Sequence, residues 1–169
     1  EKEWFDDQIK GGVIPKEFIS PIKAGIYEAA KDGYVAGYPI INYQVELFFG
    51  SFHDVDSDEL SFKLAGRLAF REACSKAGIQ ILEPIMKLET VTPEDYYGNV
   101  IKDLNARRAL IDRNDNRGNA KVITSFVPLS ELFGYSTALR SLSQGRASSS
   151  MESHSYKLLQ QGLYEKSKI

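Results

Sequence analysis

The chain has 169 residues, of which 43% are hydrophobic and 26% are charged, and its formal net charge is −2. This composition is typical of a globular protein of one domain or two small ones, and no apolar run approaches the roughly 20 residues needed to cross a bilayer. The acidic start is unlike a signal peptide. The only cysteine, Cys74, excludes an internal disulfide and a thiol-rich zinc site.

Charge is divided unevenly between the two halves of the chain. Residues 1–83 hold 9 Lys and Arg against 14 Asp and Glu, whereas residues 84–169 hold 12 against 9. Basic surface favours contact with nucleic acid because it replaces the counterions of the phosphates. By charge alone, the second half is therefore the better candidate for RNA binding.

The first half predicts a helix, a strand and a second helix. Ser20 is a candidate N-cap for the first helix, and Gly33 closes it. Apolar and polar side chains then alternate over residues 41–49, which predicts a strand with one buried face. The aromatic pair Trp4 and Phe5 at the start of the chain is expected to supply part of a neighbouring strand.

A polar loop over residues 50–59 joins this strand to the second helix. Asp56 and Glu59 have the spacing of a capping box, which anchors the loop at the helix start. Within the loop, His53 is by itself most simply interpreted as a surface histidine beside an acidic cap. The buried face of the second helix is predicted from leucines at helical spacing, Leu60, Leu64 and Leu68, with Ala65, Ala69 and Ala73 beside them.

The second half starts with a predicted strand over residues 82–91. Thr92 is then predicted to cap a helix whose residues Val100 and Leu104 face the core. The run over residues 112–119 is rich in Asp, Asn and Gly, which predicts a hairpin loop.

The remainder of the chain predicts a strand over residues 120–127, a helix over residues 129–142 and a last strand over residues 146–156. The core of that helix is expected to consist of Leu132, Phe133, Leu139 and Leu142. The serines of the last strand leave it a thin apolar stripe, and a short helix is expected within residues 156–169. The order βαββαβ predicts a ferredoxin-like sheet with both helices on one face.

No catalytic or metal-binding set emerges from the residues. The sequence has no G-x-x-x-x-G-K-[ST] phosphate loop and no nucleophile elbow. The two histidines, His53 and His154, are about a hundred residues apart, which does not favour a metal site.

Motifs spread over nearly the whole chain resemble the C-terminal part of bacterial or organellar translation elongation factor G. The resemblance to its domain IV lies in GGVIPKEFI (residues 11–19), AGYP (36–39) and GSFHDVDS (50–57). The resemblance to its domain V lies in LEPIM (residues 82–86), DLNARR (103–108), FGYS (133–136), LRS (139–141) and QGR (144–146). In this order and at these spacings, the motifs together are highly specific.

The resemblance implies an α+β chain in which residues 1–82 form a partial βαβα domain like domain 2 of ribosomal protein S5. Residues 83–157 are the ferredoxin-like domain, and residues 158–169 are a C-terminal helix or tail. Domain IV of the family has further strands upstream. We therefore expect an open strand edge and a tendency of the chain to self-associate.

The family resemblance also implies where the chain makes contact with RNA. His53 matches the histidine at the domain IV tip, which reaches the decoding region, and Asp54 and Asp56 shape the loop, with Asp56 as the cap. The complete set of tip residues is Ser51, Phe52, His53, Asp54, Asp56 and Ser57. Further candidate contacts with RNA or the ribosome are Lys63, Arg67, Arg71, Asn105, Arg107, Arg108, Gly134, Tyr135, Arg140, Gln144 and Arg146.

Each of these further residues also has a structural interpretation. A solvated helix face accounts for Lys63, and cations at a helix end complement the helix dipole. Tyr135 either stacks on a base or packs in the core, and for Arg140, Gln144 and Arg146 helix capping is slightly favoured over RNA contact.

For a chain of this family, the expected partners are ribosomal RNA, ribosomal proteins and the tRNA and mRNA of the A site, with no membrane or DNA. We expect no cofactor in this chain, because GTP and Mg²⁺ belong to an upstream G domain, and no enzymatic activity of its own. The bacterial cytoplasm or an organelle interior is the expected compartment. The alternatives are a ribosome-recycling paralogue, a drug-protection translational GTPase and a stand-alone ribosome-binding module.

Overall fold

The computed structural model describes residues 4–159, which belong to two units, Glu1–Ile79 and Gln80–Ile169. The N-terminal unit contains β1 (Phe5–Asp7), α1 (Lys16–Asp32), β2 (Val45–Leu47) and α2 (Glu59–Ala77). The C-terminal unit contains β3 (Leu82–Pro93), α3 (Glu94–Ala106), β4 (Leu110–Arg117), β5 (Ala120–Pro128), α4 (Tyr135–Leu142) and β6 (Ser148–Leu158). The orders βαβα and βαββαβ agree with the predicted α+β class.

The core of the N-terminal unit forms where α1 packs on α2 and on the short sheet. Phe18 of α1 stacks on Phe62 of α2, with ring centroids 4.3 Å apart. Burial of Phe18 explains why α1 begins at Lys16, one turn before the predicted cap at Ser20. Pro21 therefore lies inside the helix, where it removes one backbone hydrogen bond near the start.

The sheet of the N-terminal unit is shorter than the alternating pattern predicts. Phe5 of β1 pairs in parallel with Val45 of β2, as expected for the aromatic start of the chain. Each strand has only three residues, so the residues that flank Val45–Leu47 have no backbone partner in a sheet. Ile41 and Phe49, at the two ends of the predicted strand, are exposed.

The prediction for α2 was wrong about which face is buried. The buried residues are Phe62, Gly66, Phe70 and Cys74, because this is the face that meets α1 and the core. The predicted stripe lies on another side of the helix, where the exposed fractions are 64% for Leu60, 50% for Leu64 and 67% for Leu68. The helix therefore carries two apolar faces, and in the described part of the chain only one of them is covered.

The C-terminal unit is a four-stranded antiparallel sheet in the order β4-β5-β3-β6. Both helices cover one face of it, and the core between them is formed by Leu88, Val100, Leu104, Ile123, Val127, Leu132, Tyr135 and Leu139. This topology confirms the ferredoxin-like prediction.

Two boundaries in this unit differ from the predictions because strand pairing continues further than the residue types suggest. Residues 112–119 were expected to be a loop, but β4 pairs with β5 as far as Arg117, and a bulge accommodates Asp112. Polar side chains are tolerated there because β4 is an edge strand with exposed side chains. Thr92 is a buried residue of β3 rather than a helix cap, since β3 pairs with β5 up to Pro93.

The predicted helix over residues 129–142 is interrupted. A 3-10 turn covers Leu129–Leu132, Phe133 is extended, and α4 starts only at Tyr135. Gly134 between them has a φ of 73°, a left-handed conformation that glycine adopts without strain. β6 runs to Leu158, beyond its predicted end, and residues 160–169 of the predicted C-terminal helix lie outside the described residues.

Candidate functional site

The loop that carries His53 is anchored where it leaves the sheet. Gly50 lies so close to the buried side chain of Ile14 that a Cβ atom at this position would collide with it. Ile14 belongs to the core cluster of the N-terminal unit. The entrance of the loop is therefore held by the core.

A hydrogen bond closes the middle of the loop. The backbone N–H of His53 donates to Ser57 Oγ at 2.9 Å, and the intervening residues 54–56 form a turn. Val55 at this turn is 92% exposed. Of the predicted tip residues, Ser57 has a structural role, whereas Ser51, Phe52, His53, Asp54 and Asp56 are all exposed.

The exit of the loop is held by a helix cap, but not by the predicted one. Asp58 is the N-cap of α2, and its Oδ1 accepts a hydrogen bond of 2.6 Å from the N–H of Ser61. This backbone hydrogen bond lowers the pKa of Asp58 below its ordinary value because it stabilises the carboxylate. Asp56 was predicted as the cap, but it lies two residues too early because α2 begins at Glu59.

Three cations of α2 contact groups on or just after α1. Lys63 Nζ lies 2.7 Å from Glu28 Oε1, and Arg67 Nη2 lies 2.6 Å from Asp32 Oδ2. The guanidinium of Arg71 lies over the ring of Tyr34, 5.9 Å from its centroid. These three predicted contact residues therefore belong to a surface of mixed charge, and exposed ion pairs of this kind contribute little to stability.

Arg107 at the end of α3 holds the turn that precedes α4. Its Nη1 donates to the carbonyl oxygens of Glu131 at 2.6 Å and of Phe133 at 3.3 Å. Its Nε donates to Asp103 Oδ2 at 2.8 Å, and its guanidinium lies over the ring of Tyr135. Through these contacts, Arg107 stabilises the turn, and its guanidinium is not a free cation.

Arg108 is engaged in the same region. It forms two hydrogen bonds to the carboxylate of Glu83, at 3.0 and 2.8 Å, and a third to Glu131 Oε1 at 2.9 Å. These hydrogen bonds raise the pKa of Arg108 above its ordinary value. Asn105, the remaining predicted contact on α3, is exposed.

Tyr135 packs in the core, which decides between its two interpretations. Its side chain is 3% exposed, and its hydroxyl shares a hydrogen bond of 2.8 Å with Thr90 Oγ1. Burial raises the pKa of Tyr135 because the phenolate is poorly solvated there. A base cannot stack on this ring in the described conformation.

The end of α4 is capped by a serine that the sequence analysis did not single out. Ser143 Oγ donates to the carbonyl oxygen of Leu139 at 2.7 Å and accepts from the N–H of Ala147 at 3.0 Å. The side chains of Arg140, Gln144 and Arg146 are exposed, and the guanidinium of Arg146 lies over the ring of Tyr96.

Phe133 was predicted to lie in the core, but this prediction was wrong, because Phe133 is 78% exposed. It stands directly before Gly134, on the turn that Arg107 holds. Gly134, which follows it, is the sequence feature from which an interruption of the helix could have been predicted.

Within residues 4–159, no group of three or more His, Cys, Asp or Glu side chains is placed to hold a metal ion. Among the helices of the same residues, none is long and apolar enough to span a membrane.

Two family profiles match the chain, one after the other. "Elongation factor G, domain IV" matches residues 1–78, and "Elongation factor G C-terminus" matches residues 80–167. The chain belongs to the elongation factor G family. The His53 loop thus lies in the domain IV match, and the contacts of Arg107, Arg108 and Tyr135 lie in the C-terminal match.

Two individual proteins that are similar to this chain agree with its assignment to the elongation factor G family. An elongation factor G of Fervidobacterium nodosum is 52% identical over 162 residues, which are 96% of this chain and 23% of the relative. A crystal structure of a Thermus thermophilus protein superposes with a TM-score of 0.83 at 36% identity, over 96% of this chain and 24% of that one. The chain thus spans about a quarter of the length of these relatives.

Proposed function

We propose that this chain is the ribosome-binding C-terminal part of a translation elongation factor G, which promotes GTP-dependent movement of tRNA and mRNA. The domain IV loop enters the decoding region and contacts RNA there. The observation that carries this proposal is the exposed His53 on a loop held by Ile14, Ser57 and Asp58. The factor acts in the bacterial cytoplasm or an organelle interior.

The anchored loop suits a mechanical role in contact with RNA. A contact residue on a mobile loop must be ordered when it binds, and that ordering costs free energy. The three anchors have already restricted the backbone around His53. A force applied to this loop is therefore transmitted to α2 and to the core that contains Ile14, because the loop itself deforms little.

The chemistry of the tip favours contact with bases and sugars over contact with phosphates. An imidazole donates a hydrogen bond and stacks beside a base, and the exposed ring of Phe52 also offers a stacking surface. Asp54 and Asp56 beside His53 repel phosphate groups. This combination fits recognition of RNA through the edges of its bases and through its sugars.

Nucleotide chemistry is assigned to another part of the complete factor. The sequence contains no phosphate loop of the form G-x-x-x-x-G-K-[ST], so its residues do not fit a GTP-Mg²⁺ site. GTP and Mg²⁺ are bound by the G domain of the full-length protein. This chain contributes RNA contact and mechanical coupling.

The test is the substitution His53→Ala in the full-length factor. We expect translocation in a single-turnover assay to slow while ribosome-stimulated GTP hydrolysis stays nearly unchanged. His154→Ala, which alters the only other histidine, is the matched control and should change neither rate. Equal loss of both rates in His53→Ala would contradict a role specific to the tip.

The same preparation distinguishes the recycling paralogue. A translocation factor moves tRNA and mRNA on programmed ribosomes, whereas a recycling factor splits post-termination ribosomes. Splitting without translocation by the wild-type factor would overturn the proposed function and retain the family.

A further inference from the structure

We propose that Phe133, and not Tyr135, is the aromatic side chain with which the C-terminal unit contacts ribosomal RNA, by stacking on an unpaired base. This inference rests on the proposed function, because it takes the ribosome as the partner. Arg107 has the role of a positioning residue that holds Phe133 in place.

The first observation is the exposure of Phe133 itself. Its ring is 78% exposed, although Leu132 before it and Tyr135 after it are both buried. The backbone turns outward at this point because Gly134 adopts a left-handed conformation with a φ of 73°. A large apolar side chain is thus placed in solvent by a specific backbone geometry.

The second observation is the support beneath the ring. Arg107 donates to the carbonyl oxygens of Glu131 and Phe133 and lies against the ring of Tyr135, whose hydroxyl is bonded to Thr90. These contacts tie the turn to α3 and to the centre of the sheet. An exposed aromatic residue held in this way loses little conformational entropy on binding.

The third observation is the charge of the segment that follows Phe133, which favours RNA over an apolar protein pocket. Residues 132–151 contain Arg140 and Arg146 but no Asp or Glu. On the side of α3 that supports the turn, Asp103 is paired with Arg107, and Glu131 is paired with Arg108. None of the exposed residues of α4 is acidic, and one of them carries a guanidinium that attracts phosphate; they are Ser136, Thr137, Arg140 and Ser141.

The experiment measures binding of the full-length factor to purified ribosomes at a stated salt concentration. Base stacking on an aromatic ring predicts that Phe133→Ala weakens binding roughly 5- to 150-fold. Phe133→Trp should bind like the wild type, whereas Phe133→Leu should bind as weakly as the alanine variant because leucine has no aromatic face. Leu129→Ala, on the 3-10 turn that precedes Phe133, is the matched control and should leave binding unchanged.

Each outcome has a distinct meaning. Unchanged binding by Phe133→Ala overturns the inference but leaves the proposed function intact. Wild-type binding by Phe133→Leu also overturns it and indicates an apolar pocket on a ribosomal protein. Failure of the wild-type factor to bind ribosomes overturns the proposed function itself. Chemical probing of ribosomal RNA should reveal a base whose protection is lost in Phe133→Ala.

The role of Arg107 is tested with a double-mutant cycle. If Arg107 acts by holding Phe133, Arg107→Gln weakens ribosome binding when Phe133 is present. In the Phe133→Ala background, the same substitution should cause no further loss of binding. Additive losses would overturn the positioning role and indicate that Arg107 contacts RNA itself. Hydrogen exchange of β3 and β5 in each variant checks that the unit is still folded.

Discussion

The buried hydrogen bond between Tyr135 and Thr90 gives a quantitative test of the C-terminal core. Thr90 is fully buried on β3, Tyr135 is nearly so, and their oxygens lie 2.8 Å apart. Tyr135→Phe removes the phenolic oxygen and leaves Thr90 Oγ1 without its partner. The cost of a buried polar group without a partner is about 1–3 kcal/mol, so we expect the free energy of unfolding to fall by that amount.

Thr90→Val has the opposite consequence, since it leaves the Tyr135 hydroxyl unpaired in the core. We expect a loss of similar size, about 1–3 kcal/mol. When both substitutions are combined, no polar oxygen of the pair remains, and the double variant should lie within about 1 kcal/mol of the wild type. In a unit of this size, a loss of 1 kcal/mol lowers the melting temperature by about 4–8 °C.

The assay must report on the C-terminal unit. Trp4, the only tryptophan, lies in the other unit, so tryptophan fluorescence is unsuitable. Hydrogen exchange of the amides of β3 and β5, measured under native conditions, reads the stability of the sheet that contains Thr90. If the losses of the single variants simply add in the double variant, the hydrogen bond is not what stabilises this core.

Two further predictions concern the N-terminal unit. Asp58→Ala should lower the melting temperature and Asp56→Ala should not. Because the pKa of Asp58 is lowered in the folded state, the stability that Asp58 contributes is fully present above the unfolded pKa of about 3.9. It disappears as the pH falls through the lower pKa of the folded state. Equal effects of the two substitutions would rule out the cap at Asp58. Leu64→Glu and Leu68→Glu should reduce self-association of the chain in sedimentation velocity, because exposed apolar surface promotes it; a wild-type profile that is independent of concentration would contradict this.

The order of the elements was predictable because periodicity is a local property of the sequence. The covered face of α2 was not. Phe62, Phe70 and Leu64 are all apolar at helical spacings, and the sequence does not say which of two apolar faces meets α1. Burial depends on what else is present to cover a face, and that is a property of the whole assembly.

The cap of α2 illustrates a second limit. Asp54, Asp56 and Asp58 are all chemically suited to cap a helix. The capping-box spacing favours Asp56, but residues 54–56 form a turn spanned by the hydrogen bond from the His53 N–H to Ser57 Oγ, and the helix starts at Glu59. Asp56 lies within this turn, whereas Asp58 lies at the helix start, and spacing rules do not take the conformation of the loop into account.

The arginines of the C-terminal unit show why a charge count does not locate an RNA-binding surface. The positive excess of residues 84–169 includes Arg107 and Arg108, yet these two are paired with Asp103, Glu83 and Glu131. Pairing reduces their outward field and also removes the carboxylates that would repel phosphate from this side of the unit. The stretch after Glu131, residues 132–151, contains Arg140 and Arg146 but no Asp or Glu, and its first exposed residue is the aromatic Phe133. A basic motif in the sequence thus supports the turn that carries Phe133, and in the contact that we propose the exposed ring, rather than the paired cations, meets the RNA.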